Sequence, residues 1–301
     1  MKLRFLFLSF VIIGLQSCGS DQPTTDKTIE ELAEEETSGI IIKSEGLSCA
    51  DAYITIGEDE RTEKTTFIYG ETIFINFNDV LGFVKEDGAV FPGMRICVFS
   101  TEGDTALFYE DMYANHKDGV TVSPLLLYTN MTLAAPMQSN KTYTVYIKIW
   151  DKKGTGTIHT EMDFNIIPDE NINVEKTGEI IYNELYLFSK ESGVVTNSKV
   201  NLNEQYYLIY EGLKGFVENK TKVAVGLSMK AVGANGDVLL DEADLFSEES
   251  NQWDVKQLEE QMTAQFIFTS SEIVSPIQCD FVVWDKKGHS KLITTLSLEL
   301  E

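Results

Sequence analysis

The chain has 301 residues and carries 48 acidic against 24 basic side chains, which gives a net charge of −24 at pH 7. A field of this sign repels nucleic acid and anionic lipid surfaces and favours solubility. Nucleic-acid binding is therefore set aside, and the charge by itself indicates no particular fold.

Residues 1–17 have the features of a secretory signal peptide. Lys2 and Arg4 precede an apolar run, Phe5–Leu15, that is too short to span a bilayer. The run ends in Leu-Gln-Ser-Cys, which resembles the lipobox of bacterial lipoproteins; an ordinary signal peptide with an incidental cysteine is the alternative. The resemblance implies cleavage before Cys18 and lipid attachment to its thiol, and several acyl chains together anchor a protein firmly. Cleavage would remove two positive charges and take the net charge from −24 to −26.

The residues after Cys18 bear on location. Gly19 stands where an aspartate would imply retention in the inner membrane, so the lipoprotein resemblance implies the outer membrane. Surface-exported lipoproteins of the Bacteroidota carry an acidic cluster beside the cysteine, and only Asp21 represents it here. We therefore predict a cell-envelope protein held on the outer membrane by its lipid, with the periplasmic and surface faces both open.

Residues 18–42 are predicted to form an acidic flexible tether. Between Gly19 and Gly39 there are seven acids, one lysine and almost no large apolar side chain, so this stretch cannot bury a core. A short helix over residues 28–36, with Thr28 as its cap and Glu31 in the capping-box position, is the alternative.

An internal duplication fills the remainder of the chain. The pentapeptide WDKKG occurs at Trp150–Gly154 and again, 134 residues later, at Trp284–Gly288. A shift of 133 residues places Gly82–Val84 on Gly215–Val217, and one inserted residue accounts for the difference. A period of this length indicates two domains rather than a solenoid. We place the copies at 43–167 and 180–301, joined by a polar linker at 168–179.

Within each copy the apolar residues alternate as they do in half-buried antiparallel strands. In "TYTVYIKIW" one face holds Tyr143, Val145, Ile147 and Ile149, and the other holds Thr144, Tyr146, Lys148 and Trp150. Six or seven such strands in roughly 120 residues predict a β-sandwich, with one short helical insert near residues 253–262.

The strand pattern around WDKKG carries a second resemblance. A penultimate strand that runs into Asp-Lys-x-Gly, with Gly-Glu-Thr-Ile opening an early strand, resembles the bacterial Ig-like repeats of envelope proteins. The predicted fold is therefore all-β, with two tandem Ig-like antiparallel β-sandwich domains behind the signal peptide and the tether. WDKKG would be the hairpin joining the last two strands, with Gly154 and Gly288 at positive φ. These motifs mark a fold and imply no catalytic residues.

The tryptophans of the repeated motif are candidate ligand contacts. Alternation places Trp150 and Trp284 on the faces opposite the predicted cores. Each ring could cover its own hairpin, or each could stack on a sugar ring or anchor a protein partner. Both interpretations remain open on the sequence.

Three cysteines remain beyond Cys18. Cys49 and Cys97 both occur in the first copy and are both missing from the second, as a disulfide would produce in an oxidising envelope, so they are a candidate pair. Against the bond, Cys97 falls on the more polar face of its strand. Cys279 is predicted to be a buried thiol.

No motif points to catalysis, a cofactor or a metal. His116, His159 and His289 have no metal-ligand spacing, and no nucleophile elbow, zinc-protease, phosphate-loop or dinucleotide-binding motif occurs. Asp111 and Asp244 are equivalent in the two copies; turn chemistry explains them, with a calcium site as the sharper alternative.

The predicted function is accordingly a lipid-anchored, non-enzymatic envelope protein that serves as a binding or scaffolding module. Its partners would be the membrane, through the lipid, and an envelope protein or a glycan. The alternative is a carbohydrate-binding outer-membrane lipoprotein, similar to those of polysaccharide-utilisation systems. An enzyme would require two carboxylates facing each other across an aromatic-lined cleft.

Overall fold

The computed structural model describes residues 33–37, 39–57, 60–247 and 253–301. The predicted signal peptide, Cys18 and most of the predicted tether lie outside the described residues. Within the described ranges, no helix is long and apolar enough to cross a membrane.

The first half of the described chain consists of strands. In order they are β1 Ala33–Thr37, β2 Ile40–Glu45, β3 Asp51–Ile56, β4 Glu60–Thr62, β5 Thr66–Ile68, β6 Thr72–Asn78, β7 Pro92–Ser100, β8 Thr105–Tyr109, β9 Leu127–Thr132, β10 Lys141–Asp151 and β11 Thr157–Ile167. One sheet has the order β1-β2-β11-β10-β7-β8, with β5 running parallel to the end of β11. The facing sheet has the order β4-β3-β6-β9.

The second half repeats this arrangement. Its elements are β12 Ile172–Thr177, β13 Glu184–Ser189, β14 Gly193–Val194, β15 Lys199–Val200, β16 Gln205–Glu211, β17 Glu218–Asn219, β18 Lys222–Val223, β19 Val225–Val232, β20 Val238–Glu242, β21 Trp253–Asp254, α1 Val255–Glu260, β22 Met262–Ile267, β23 Ile277–Asp285 and β24 Lys291–Leu300. One sheet has the order β12-β24-β23-β19-β20 with β15 parallel to β24, and the facing sheet has the order β14-β13-β16-β22.

The strand orders of the two sandwiches therefore match, apart from β1 in the first half and β17, β18 and β21 in the second. We call β2-β11-β10-β7-β8 the first long sheet and β12-β24-β23-β19-β20 the second long sheet; even the short parallel strands β5 and β15 correspond. Each half is an antiparallel sandwich, which confirms the predicted all-β, Ig-like fold class. The repeated strand order is also what the internal duplication predicts.

Alternation along the strands builds one core in each sandwich. On β10, Val145, Ile147 and Ile149 are almost fully buried, while Tyr146 and Lys148 between them face outward. Burying one such aliphatic side chain contributes about 1.5–3 kcal/mol. Tyr143 is also buried, and its hydroxyl accepts from the Gln138 N–H at 2.7 Å, which ties β10 to the loop that precedes it.

The predicted linker at 168–179 is wrong. Residues Ile172–Thr177 form β12, which pairs along its whole length with β24 and is the first strand of the second long sheet. Apolar and polar residues alternate over only part of β12, because the strand lies at the sheet edge and its apolar side chains, Ile172 and Val174, are only partly buried.

The predicted tether at 18–42 is also too long. β2 begins at Ile40, whose side chain is buried in the first core, and β1 pairs with β2 from Ala33 onward. The alternative helix over residues 28–36 is not formed in its described part, because Ala33–Thr37 is a strand. The helical insert is confirmed: α1 is capped by Asp254, whose side chain accepts from the Lys256 N–H.

Candidate functional site

The two WDKKG tryptophans pack on glycines of the neighbouring strand. Trp150 lies opposite Gly93, and a Cβ added to that glycine would come within 2.1 Å of the indole Cε2. Trp284 lies opposite Gly226 in the same way, at 2.0 Å. Both rings are half-buried on the outer faces of the long sheets. The structure thus gives each ring a packing partner, and contact with a ligand stays a prediction.

The aspartate of the motif holds the chain segment that precedes β7 in the first long sheet and β19 in the second. Asp151 is buried, and its two carboxylate oxygens accept from the Val84 N–H at 2.7 Å and the Lys153 N–H at 2.9 Å. Asp285 accepts from Val217 and Lys287 at 2.7 and 2.8 Å. The same buried carboxylate is therefore satisfied by the same two backbone groups in each copy.

The final glycine of the motif is required for a different reason from the one predicted. Neither Gly154 nor Gly288 has a positive φ, so that prediction is wrong. A Cβ on Gly154 would come within 2.5 Å of Asp151 Oδ2, and one on Gly288 would meet Asp285 at the same distance. The carboxylate, rather than the backbone conformation, excludes a side chain there.

The first lysine of the motif neutralises the repeated aspartate. Lys152 Nζ lies 2.7 Å from Asp111 Oδ2, and Lys286 Nζ lies 2.6 Å from Asp244 Oδ2. Burial alone would raise the pKa of Asp244, but the Lys286 ammonium and two backbone N–H groups outweigh it and lower that pKa. An ammonium thus occupies the position that the calcium hypothesis needs, and the described ranges hold no cluster of three metal-ligating side chains. The tryptophan, aspartate and first lysine of WDKKG thus make the same packing, hydrogen-bond and ion-pair contacts in both copies. We call this set of contacts the WDKKG lock.

The candidate disulfide between Cys49 and Cys97 is not formed. Cys97 is a free thiol on the outer face of β7, and burial raises its pKa. Cys49 packs against the core of the first sandwich, on the other side of the sheet. Cys279 is fully buried as predicted, and burial raises its pKa to about 12.

A junction of tyrosines and carboxylates joins the two sandwiches. The Tyr69 and Tyr186 hydroxyls donate to the two oxygens of Glu211, at 3.0 and 2.8 Å. Their rings lie 5.5 Å apart, and Tyr186 packs against the first core. Burial first, and then the Glu211 charge and hydrogen bond, raise the pKa of both phenols. These contacts tie β16 of the second sandwich to the first.

A cavity of about 530 Å³ beside this junction contains two buried acids, Asp169 and Glu184. Burial raises the pKa of both. Each nevertheless serves the backbone: Asp169 accepts from the Asn171 N–H at 2.9 Å, and Glu184 accepts from the Ser139 N–H of the first sandwich at 2.8 Å. Acids with perturbed pKa values in a cleft are typical of active sites. Here, however, Asp169 stabilises a turn and Glu184 stabilises the contact between the two sandwiches.

The outer face of the first long sheet holds an open groove. A groove of about 440 Å³ runs across β2, β11, β10 and β7, and a hollow of about 300 Å³ continues it toward the β10–β11 loop, where Trp150 lines it. The two share Arg95, Lys148 and Thr157. The groove therefore extends from Trp150 past Lys148 to Tyr146, a residue that is 41% exposed.

Strand register assembles a line of nitrogen-bearing side chains in this groove. Lys43 pairs with His159, His159 with Lys148, and Lys148 with Arg95, so the four lie side by side on four adjacent strands. Neighbouring strands are about 4.8 Å apart, so this cationic row spans roughly 14 Å. Burial and then the Lys148 charge lower the pKa of His159, with Glu45 acting in the opposite direction.

Aromatic side chains flank the cationic row. Trp150 lies on one side, two residues along β10 from Lys148, and Tyr146 lies on the other, with the Phe99 ring 6.0 Å from the Tyr146 ring. Arg95 lies with its guanidinium 5.9 Å from the centre of the Phe108 ring, and its Nε is buried with no hydrogen-bond partner. The arrangement can hold an anion between flat apolar surfaces.

The second copy lacks this row although it keeps the lock. The register-equivalent residues on the second long sheet are Glu175, Ile293, Val282 and Ser228. The row could not be predicted from the spacing of its residues in the sequence, because its members lie up to 116 residues apart and only strand register brings them together. Comparing the copies position by position for a change of charge would have supplied the signal.

Comparisons with known proteins identify no family. No protein-family model matches the chain, and no curated protein matches it significantly. Among solved structures, a dimeric latent PorU from Porphyromonas gingivalis is 10% identical with a TM-score of 0.25 and covers 85% of this chain. This chain spans only 20% of that protein.

Two further solved structures are similar over most of their own length. Fibronectin(III)-like modules of Clostridium thermocellum CbhA are 10% identical with a TM-score of 0.19, covering 82% of this chain and 94% of theirs. The C-terminal domain of the Streptococcus agalactiae AgI/II polypeptide BspA is 9% identical with a TM-score of 0.22, covering 82% and 100%. At these scores the fold rests on the strands described above, and the likenesses indicate no function.

Proposed function

We propose that the chain is a non-enzymatic, lipid-anchored protein of the cell envelope that binds a partner through the outer face of its first long sheet. The observation that carries the proposal is the difference between the copies. Both keep the WDKKG lock with its tryptophan, so the lock serves the fold, whereas only the first carries the cationic row and Tyr146, where the second has Asp280. Function resides in a site that a fold carries rather than in the fold itself. We therefore assign the specific function to the feature that only one copy has.

A photo-crosslinking amino acid at position 146 tests the binding face in cells. On the proposal, Tyr146 replaced by such a residue gives a specific adduct with an envelope component. The matched control is position 280, because Asp280 occupies the register-equivalent place on β23. Equal adducts at both positions, or none at position 146, would refute a binding face on the first copy.

The lipid anchor has its own test. Cys18→Ser should move the protein from the membrane fraction to the soluble fraction, and mass spectrometry should find diacylglyceryl on the N-terminal peptide of the parent. Cys97→Ser serves as the control, since that thiol lies on a folded sheet. An unlipidated mature parent would remove the anchor from the proposal and leave the binding face untouched.

The second candidate function is the carbohydrate-binding outer-membrane lipoprotein of a polysaccharide-utilisation system. The exposed face of Tyr146 and the edge of Trp150 favour it, because flat aromatic rings stack on sugars. Retention of the mature chain on immobilised polysaccharides, lost in Tyr146→Ala, is the expected result; retention unchanged in Tyr146→Ala would exclude this face as a sugar platform.

A further inference from the structure

The cationic row costs the fold stability. Like charges directly opposite each other on neighbouring strands repel. Lys148 lies between His159 and Arg95 and has no ion pair within the described residues, whereas Arg95 Nη2 lies 3.9 Å from the exposed Glu110 Oε1. Burial first, and then the Lys148 charge, lower the pKa of His159. Packing alone would favour the apolar Ile293 and Val282 that the second copy has at these places.

The lining of the groove carries more basic than acidic side chains, whereas the chain as a whole is strongly acidic. The chain as a whole carries −24, and anions are repelled from it at long range. At physiological ionic strength the screening length is about 8 Å, so a group inside the groove responds mainly to the side chains that line it. Glu45 and Glu161 are the acids among those lining residues, and the Tyr146 hydroxyl contacts Glu161 at 3.4 Å.

We propose that the groove binds an acidic polysaccharide, whose carboxylate or sulfate groups pair with Lys148 and Arg95 while its sugar rings pack on Tyr146 and Trp150. This inference rests on the proposed function and specifies its ligand. Lys148 and Arg95 lie one strand spacing apart, about 4.8 Å, which is close to the width of one pyranose ring, so neighbouring sugars can meet neighbouring strands.

The groove fits a glycan better than an acidic peptide. An extended peptide gains its affinity from backbone hydrogen bonds at a free sheet edge. The groove lies on the face of the sheet, where all four strands are already paired, and β1 covers the edge beside β2. It offers side chains alone, with flat rings on both sides of the charge, which suits a polymer of rings that carry anions.

Affinity electrophoresis of the mature chain in gels containing polygalacturonate, dextran sulfate, neutral dextran or poly-L-glutamate tests the inference. We expect retardation by one of the two acidic polysaccharides, which also separates carboxylate from sulfate, and little by dextran or polyglutamate. Arg95→Gln with Lys148→Gln should weaken binding about tenfold or more, because both charge-assisted hydrogen bonds to the anion are lost. Tyr146→Ala should weaken it as well.

The matched control is Lys230→Gln with Lys291→Gln, which removes two positive charges from the outer face of the second long sheet. It should leave binding unchanged. Lys148→Gln alone should keep or raise the melting temperature, because it relieves repulsion; a fall would identify the lysine as structural. Equal retardation by polyglutamate, equal loss in the control, or binding only to phosphatidylglycerol vesicles would overturn the inference.

Failure here is distinguishable from failure of the proposed function. If no polysaccharide is bound while the cross-link at position 146 persists, the binding face stands and its ligand is not an acidic glycan. If the cross-link also fails, both proposals fall.

Discussion

At the scale of single residues, the pairing of a tryptophan with a glycine organises the outer face of each long sheet. A Cβ on Gly93 would come within 2.1 Å of the Trp150 ring, and the ring is held on a sheet that cannot easily move. We expect Gly93→Ala to cost about 1–3 kcal/mol of the free energy of unfolding, as overpacking usually does.

The stacking explanation predicts that this cost depends on the indole. In a Trp150→Ala background, Gly93→Ala should cost only a few tenths of a kcal/mol, because the clash is gone. Urea unfolding of the four proteins of the cycle measures the difference, and Gly226 with Trp284 repeats it in the second copy. Strictly additive costs would show that the glycine is needed for another reason.

The residue scale also marks what the sequence could and could not predict. Trp150 and Lys148 were placed on the outer face by alternation alone, because period two is a property of any strand. The reason for Gly154 was missed, since the close approach of Asp151 Oδ2 depends on how a five-residue loop folds back. Cys97 was paired with Cys49 from their joint absence in one copy, whereas the sheet lies between them.

At the scale of elements, the strands with a fully buried face were predictable and the edge strands were not. β6 and β10 alternate cleanly because each buries three or more apolar side chains. β12 offers only two half-buried ones and looked like a polar linker. The groove could not be predicted either, because the pairing register of four strands determines which side chains line it.

Glu184, on β13, should make the free energy of unfolding depend on pH. Burial raises the pKa of Glu184, so this carboxyl holds its proton more tightly in the folded state than in the unfolded chain. Its contribution to stability is therefore fully present below the unfolded pKa of about 4.3 and is lost as pH rises through the folded value. Glu184→Gln keeps an oxygen acceptor for the Ser139 N–H without the charge.

We therefore expect Glu184→Gln to unfold at higher urea concentration than the parent at pH 7. The advantage should shrink as the pH falls through the raised pKa of the folded state toward the unfolded value of about 4.3, because the parent carboxyl becomes neutral there too. Glu299→Gln, on an exposed position of β24, should show no such dependence. A variant that is less stable than the parent at every pH would mean that the charge strengthens the Ser139 contact more than burial penalises it.

At the scale of the whole molecule, the corrected boundaries change which fragments should fold. A fragment of residues 43–167 lacks Ile40 and Ile42, both buried in the first core. Their loss should cost about 3–5 kcal/mol, a large part of the stability of a small domain. We expect residues 40–167 to give a cooperative urea transition and residues 43–167 to be largely unfolded by circular dichroism. Equal stability of the two fragments would show that β2 contributes little.

The junction predicts that the sandwiches of the intact chain unfold together. Glu211 accepts from both Tyr69 and Tyr186, and Tyr69 in turn accepts from the Ala135 N–H at 3.0 Å, so one carboxylate connects two cores. Glu211→Ala leaves two phenols without their acceptor and should weaken the coupling by about 2 kcal/mol. In calorimetry of the mature chain, the first-sandwich transition should then move to lower temperature and separate from the second.

Glu242→Ala, on the exposed edge strand β20, is the matched control and should leave the calorimetric profile unchanged. Tyr69→Phe and Tyr186→Phe should each produce part of the separation, because each removes one of the two hydroxyls that Glu211 binds. If Glu211→Ala lowers both transitions equally, the carboxylate stabilises its own strand rather than the contact. In that case the ring contact between Tyr69 and Tyr186, at 5.5 Å, would be the coupling element.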